Sequence, residues 1–245
     1  MTSGSELAGK VALVTGGARN IGRAICRALS AGGAAVMVNA RTSRREAEET
    51  VALIGSAAAF CIADITDPPQ VSSLIKQTVS RFGRLDILVN NAAVRPDAPF
   101  ESMAFDEWRK VMSIVLDGAF LCTQACLPHM VEAGGGTVIN IGGLTGHRGA
   151  SGRAHVVTAK AGLAGMTKAL ALDLASKHIT VNCVVPGTIG SERGQPHPAG
   201  RHSIPPIGRR GEPEEVAAMV RMLCGPDARY ITGQSIHVNG GGYLP

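Results

Sequence analysis

The chain predicts one α/β domain spanning 1–245, a doubly wound parallel seven-stranded sheet with helices on both faces, and three observations carry that expectation. Seven short runs rich in Val, Ile and Leu alternate with longer segments of helical character, the rhythm of a β-α-β-α chain. Several of the runs, such as Ile87-Leu88-Val89 and Val181 to Val185, are almost continuously apolar, as strands are when helices cover both faces. A length of 245 residues with 45% hydrophobic composition suits one large domain with an ample core. With 31 glycines and only 3% aromatic residues, the turns should be tight and the interior aliphatic.

Taken in order, the strands fall at 11–15, 35–39, 58–62, 86–90, 137–141, 179–184 and 235–238. The first ends in a glycine-rich turn and a helical run through Leu29, and long helical segments occupy roughly 104–131 and 153–177. Right-handed crossovers place the carboxyl ends of all the strands along one edge, where ligands bind at the reversal of strand order. Chemistry is therefore sought just after each strand. The irregular stretch 186–212, with Pro186, Pro196, Pro198, Pro205 and Pro206, is too long for a passive connection and is expected to be a substrate lid.

Composition excludes several function classes. The net charge of +5 is carried by scattered arginines, apart from Arg44-Arg45 and Arg209-Arg210, with no interleaved aromatics, so no nucleic-acid partner is expected. Six cysteines without a C-x-x-C pair sit largely in apolar runs and read as reduced, buried thiols of a cytoplasmic protein. Cys122 and Cys126 share a helical face, but only His129 accompanies them, and no metal is expected. The first ten residues lack an apolar segment, no uninterrupted apolar run approaches a membrane span, and no membrane association is expected.

The turn after the first strand reads Thr15-Gly16-Gly17-Ala18-Arg19-Asn20-Ile21-Gly22. Glycines permit the strand-to-helix reversal, and free N–H groups at the helix start attract a pyrophosphate. Other landmarks follow: Asp64 after the third strand, Asn90-Asn91-Ala92-Ala93 after the fourth, Lys160 on a long helix, Pro186-Gly187-Thr188-Ile189 after the sixth, and Ile231-Thr232-Gly233-Gln234 through Gly241 at the end. Together they resemble a short-chain dehydrogenase/reductase with a Rossmann-like fold, nearest in pattern to β-ketoacyl-acyl carrier protein reductases. The resemblance runs from residue 8 to 242.

That resemblance implies a nicotinamide cofactor held by Gly16, Arg19, Asn20, Ile21, Gly22, Arg41, Asp64, Asn90, Lys160, Pro186, Gly187 and Ile189. The family's middle glycine is Asn20 here; Asn tolerates a left-handed backbone, though its side chain narrows the approach to phosphate. Members that bind NAD(H) usually carry an acid at the end of the second strand, where this chain has Ala40 and then Arg41. With no carboxylate to repel a 2′-phosphate, and with Arg19 and Arg41 to flank it, NADP(H) is expected over NAD(H).

The resemblance also implies a catalytic tyrosine, serine, lysine and asparagine, and only Lys160 matches. The tyrosine position is Val156, the serine position Gly143 and the asparagine position Val115. One positioned general acid contributes roughly 10² to 10⁴ in rate and one oxyanion donor roughly 10² to 10³, so ordinary carbonyl reduction should be very weak. The candidate surrogates are Thr145, on the same face as Gly143 if the strand continues; Arg153, three residues before Val156; and His155, about 100° around the helix from it. His147 follows the strand and is a further candidate.

The expected substrate is a small molecule, anionic or an acyl thioester, because 191–210 carries Arg193, His197, Arg201, His202, Arg209 and Arg210 against Glu192 alone. Three functions remain open. They are a divergent NADP(H)-dependent oxidoreductase, a non-redox lyase, hydrolase or isomerase on the same scaffold, and a catalytically silent NADP(H)-binding sensor or partner subunit. The resemblance further implies a homotetramer.

Overall fold

The pleat of the first strand, β1 (Val11–Val14), sorts its residues onto two faces. Ala12 and Val14 join a core formed with Ile25 and Leu29 of α1 (Asn20–Ala31) and Val216, Val220 and Leu223 of α8 (Pro213–Cys224). Val11 and Leu13 join the opposite core, with Leu74 and Ile75 of α3 (Pro68–Phe82) and Cys122, Cys126 and Met130 of α5 (Gly118–Glu132). The same division runs through β4 (Ile87–Asn90), where Ile87 and Val89 face one core and Leu88 the other. Both faces of the sheet are buried, which explains the continuously apolar strands.

This computed structural model describes residues 4–190 and 204–245. The remaining strands are β2 (Ala35–Ala40), β3 (Ala58–Ile62), β5 (Gly136–Ile141), β6 (Ile179–Pro186) and β7 (Ser235–Val238). The sheet order is β3-β2-β1-β4-β5-β6-β7, with every neighbouring pair parallel. All seven runs anticipated from the sequence are strands, displaced at their ends by a residue or two. After β3 the chain returns to the far side of β1, so the strand order reverses between β1 and β4. A crevice opens there at the carboxyl ends.

Local signals set the helices. Asp67 accepts the Gln70 N–H at the start of α3, Pro68 supplies a preset φ, and Gly83 ends the helix in the left-handed region at φ 85. Glu107 accepts the Ala104 N–H ahead of α4 (Phe105–Met112), and Glu215 does the same for Glu212 ahead of α8. Between α4 and α5 the helix widens into a π turn over Ser113–Asp117, making one helical stretch from Phe105 to Glu132. By length and composition that stretch is long and apolar enough to cross a membrane, a test that the core helices of globular domains also pass. Its inward face instead packs on the sheet and on α7 (Ala154–Leu174).

A third apolar cluster lies apart from the two main cores. It joins Val111, Val115 and Ala119 to Val156, Ala159 and Leu163 of α7. Beside it, Gly146 of the short α6 (Thr145–Arg148) lets that turn sit directly on α7, because a Cβ there would stand 2.9 Å from the Lys160 Cβ and backbone carbon. This contact fixes Lys160 against the end of β5.

Candidate active site

A cleft of about 900 Å³ occupies the crevice, and its nucleotide end is shaped by backbone. Buried Thr15 receives the N–H groups of Asn91 and Ala92 at 3.0 and 3.1 Å, pinning the turn after β1 to the turn after β4. Asn91 Nδ2 donates to the Thr15 and Gly16 carbonyls at 2.9 and 3.0 Å, which holds the glycine turn open. Gly22 must be glycine, since a Cβ there would lie 2.2 Å from the Gly16 carbonyl oxygen. Gly16 has φ 62 and Asn20 φ 48, so asparagine takes the left-handed position where the resemblance implies glycine.

These residues have the chemistry of a pyrophosphate cradle. Helix α1 begins at this turn with no side-chain cap and no acid in its first turn, leaving its first N–H groups and the positive end of its dipole toward the cleft. The Asn20 Oδ1 is buried there without a hydrogen-bond partner. Arg19 and Arg41 both line this end. Arg19 Nη1 donates to Glu46 at 3.3 Å and Arg41 Nη1 stands 3.9 Å from Asp64 Oδ2; both pairs are part-exposed and weak enough to exchange for a ligand phosphate. Asp64 itself accepts from the Thr66 N–H and hydroxyl at 2.9 and 2.8 Å, which orients its carboxylate at the cleft wall. Pro186, Gly187 and Ile189 complete the wall after β6.

Asn90 lies elsewhere than the cleft wall. It lies in the core at 5% exposure, outside the cleft lining, and its Nδ2 donates to Thr123 Oγ1 and Asn140 Oδ1 at 3.1 and 2.9 Å. Asn140 in turn donates to Thr167, so these side chains form a buried polar tie from β4 through β5 to α7. The family resemblance of Asn90-Asn91-Ala92-Ala93 implied a ligand position, whereas the pleat turns the Asn90 side chain inward.

At the other end, Lys160 lines the cleft while 5% exposed, and its Nζ donates to the Ile141 carbonyl at 2.5 Å. Burial pulls its pKa down to about 8, Arg95 nearby adds to the fall, and the Cys183 thiol works weakly against it. Gly142 and Gly143 differ sharply. A Cβ on Gly142 would meet Cys183 Sγ at 2.7 Å, whereas one on Gly143 would meet nothing nearer than Lys160 Cγ at 3.6 Å, with Lys160 Cδ and Thr145 Oγ1 at 3.9 Å. Gly143 has room for a side chain, and the Thr145 hydroxyl stands beside that space.

The route by which Thr145 arrives differs from the expectation. Strand β5 stops at Ile141, so Thr145 shares no strand face with Gly143; it opens the helical turn α6 and reaches the cleft from there. His155 does not reach the cleft. It is fully buried at the start of α7, with neither ring nitrogen hydrogen-bonded. Arg153 does line the cleft, at the N-terminal boundary of α7, and its Nε donates to Asp97. His147 turns away from the cleft toward the C-terminal residues, its ring edge-on to His237 at 4.6 Å and 6.0 Å from Tyr243. Arg209 pairs with Glu215, Arg210 lines the cleft, and Arg193, His197, Arg201 and His202 lie outside the described residues.

Two cleft residues were missed by sequence reasoning. Arg95 and Arg148 both line the catalytic end, and neither side chain has a hydrogen bond or ion pair among the described residues. Arg95 is open to water through the cleft mouth, yet the surrounding walls and the charge of Arg153 lower its pKa. The signal was available, since Arg95 follows β4 on the ligand-binding edge. All six cysteines are free and buried, and no cluster of three or more His, Cys, Asp or Glu suited to a metal occurs among the described residues.

Comparison with known proteins bears on this geometry. The family described as Enoyl-(Acyl carrier protein) reductase matches residues 16–242. The chain is 41% identical over 246 residues to a 3-oxoacyl-[acyl-carrier-protein] reductase of Synechocystis sp., covering 97% of this chain and 98% of that protein. It is 40% identical over 240 residues to the 3-oxoacyl-[acyl-carrier-protein] reductase FabG of Haemophilus influenzae, with 96% and 99% covered, and 38% identical to that of Escherichia coli (strain K12), with 96% and 98% covered.

Proposed function

The chain belongs to the short-chain dehydrogenase/reductase family of oxidoreductases, and on that premise we propose that it is an NADP(H)-binding member with a divergent catalytic end. The observation that carries this reading is the glycine turn held open by Asn91 beneath an uncapped helix start, in the same cleft as Lys160. Arg19 and Arg41 favour the phosphorylated dinucleotide. Val156, Gly143 and Val115 stand for the family's tyrosine, serine and asparagine, so reduction of a simple ketone is very slow.

Bound NADPH supplies the hydride. The chain's own residues supply the rest: the Thr145 hydroxyl, beside the space left by Gly143, holds the carbonyl oxygen, and the Lys160 ammonium, with its pKa near 8, delivers the proton. A pKa close to working pH suits proton transfer, whereas an ordinary lysine holds its proton too firmly. The four-carbon stem of Lys160 lies along the cleft wall beside Gly143, so the same charge also faces the cofactor side.

The relatives' printed names suggest an acyl thioester as one substrate class. Exposed Phe105, Phe120 and Leu172 on α4, α5 and α7 support a homotetramer, and the buried free thiols support a cytoplasmic setting. A catalytically silent NADP(H)-binding protein is the second reading, favoured by Val115 and Val156 packing together in one apolar cluster. Long incubation with a panel of ketones and oxo acids tests the choice. One NADPH consumed per alcohol formed supports the oxidoreductase, and binding without consumption supports the silent protein. Substrate conversion with NADPH untouched would contradict both.

A further inference from the structure

The two ends of the cleft differ in how their positive charge is matched. At the nucleotide end Arg19 faces Glu46 and Arg41 faces Asp64. At the catalytic end Arg153 is matched by Asp97, but Arg95, Arg148 and Lys160 line the same space with no carboxylate on any of them among the described residues. Glu107, the one acid in that part of the lining among the described residues, accepts the Ala104 N–H. The loop that carries Arg95 is also held in place. Arg153 ties to Asp97, and the Ala98 N–H donates to the Gly152 carbonyl at 2.9 Å, so the loop after β4 that carries Arg95 is fastened to the start of α7.

Cations lining one space without counter-charge repel one another: beyond the larger effect of burial on each group, the charge of Arg95 adds to the fall of the Lys160 pKa and that of Arg153 to the fall of Arg95's own. An anion placed among them relieves that cost. A guanidinium fork matches a carboxylate with two parallel hydrogen bonds. Arg95, Arg148, Thr145 and Lys160 line one cleft, so a single small molecule there offers its anionic group to the arginines and its carbonyl to Thr145 and Lys160.

Resting on the oxidoreductase reading above, we infer that the catalytic end accepts a small oxo acid, with its carboxylate on Arg95 and Arg148 and its carbonyl oxygen toward Thr145 and Lys160. In the reaction a hydride from NADPH forms the new C–H bond at the carbonyl carbon, the C=O π pair moves to oxygen, and Lys160 gives that oxygen a proton. The products are a hydroxy acid, NADP⁺ and a neutral amine that regains its proton from water; the carboxylate is unchanged. The carboxylate serves as an electrostatic handle that a neutral thioester lacks. It compensates in positioning for the absent tyrosine and serine.

The test is calorimetric titration of the full chain with acetoacetate, methyl acetoacetate and inorganic phosphate, each with and without saturating NADPH, repeated on Arg95→Met and Arg148→Met. Among the described residues neither arginine forms an ion pair, and a circular dichroism spectrum checks that each variant is folded. The expected result is that acetoacetate binds about tenfold or more tightly than its methyl ester, and that Arg95→Met removes that preference. Equal binding of acid and ester, or an unchanged preference in Arg95→Met, overturns the inference. Phosphate binding more tightly than acetoacetate overturns it also, in favour of a phosphate site. A separate NADPH titration keeps the two readings apart. NADPH binding without acid binding removes the oxo-acid site and leaves the oxidoreductase. Acid binding without NADPH binding leaves the anion site and removes the oxidoreductase.

Discussion

The nucleotide end of the cleft and its catalytic end are built by different means. The first relies on backbone: glycine at 16 and 22, a left-handed Asn20, and Asn91 bonded to two carbonyls, none of which depends on a particular reactive side chain. The second relies on side chains, and there Val115 and Val156 pack apolar surface while Arg95 and Arg148 add charge. A backbone cradle tolerates a divergent sequence as long as its turns survive. A catalytic constellation changes character with each side chain exchanged. On the proposed reading, the contrast accounts for a cleft that keeps a dinucleotide cradle while departing from the chemistry expected beside it.

The sharpest way to break this contrast is to restore the catalytic end. Gly143→Ser together with Val156→Tyr should raise NADPH-dependent reduction of a simple neutral ketone by about 10² to 10⁴. Gly143 has open space for the hydroxyl, and Val156 borders the cleft into which a tyrosine ring would project. No gain in a folded double variant would mean that Lys160 or the cofactor is misplaced. As its converse, Gly142→Ser should destabilise the fold, because Cys183 Sγ already fills that position.

Damage to the cradle comes next. Gly22→Ala forces a methyl against the Gly16 carbonyl and should cost about 1–3 kcal/mol of stability, with NADPH binding lost in proportion. Melting temperature and calorimetry on the same sample check both. An unaffected variant would show that the turn is looser than its geometry implies.

Lys160 gives a pH-dependent effect of similar or smaller size. The folded chain holds its proton with a pKa of about 8 against 10.5 for the free side chain. Below pH 8 both states are protonated and the folded state carries the whole burial penalty; from about 8 to 10.5 the folded state releases its proton first, and stability from this group rises with pH. Lys160→Met should therefore stabilise the protein below pH 8 by about 1–3 kcal/mol, after loss of the Ile141 hydrogen bond, with the gain fading toward pH 10.5. Urea unfolding across that range measures it. A constant difference would place the charge in water.

The smallest expected effect is at Arg41. Arg41→Ala should reduce the preference for NADPH over NADH by about tenfold, chiefly by weakening NADPH. A preference that survives would assign the phosphate contact to Arg19 alone.

Periodicity revealed the strands because burial on both faces leaves a local signature, and the glycine turn because its backbone demands are local too. Thr145 was found for the wrong reason: no local cue showed that β5 ends at Ile141, so the residue was placed on a strand when it opens a helical turn. The burial of Asn90 and His155 away from the cleft lining was not legible, because which face of an element meets a cleft is set by tertiary packing. Arg95 escaped notice for a similar reason. Its place after β4 was readable, but its lack of an ion pair among the described residues and its influence on Lys160 emerge only from the fold. The π turn at Ser113–Asp117 likewise has no counterpart in an amphipathic pattern.

The most direct measurement is calorimetric titration of the purified chain with NADPH and, under identical conditions, NADH. Saturable binding of NADPH at least about tenfold tighter than NADH is the predicted result, with Arg19 and Arg41 as the phosphate ligands. Binding of neither, or tighter binding of NADH, would contradict the NADP(H) cradle at its foundation.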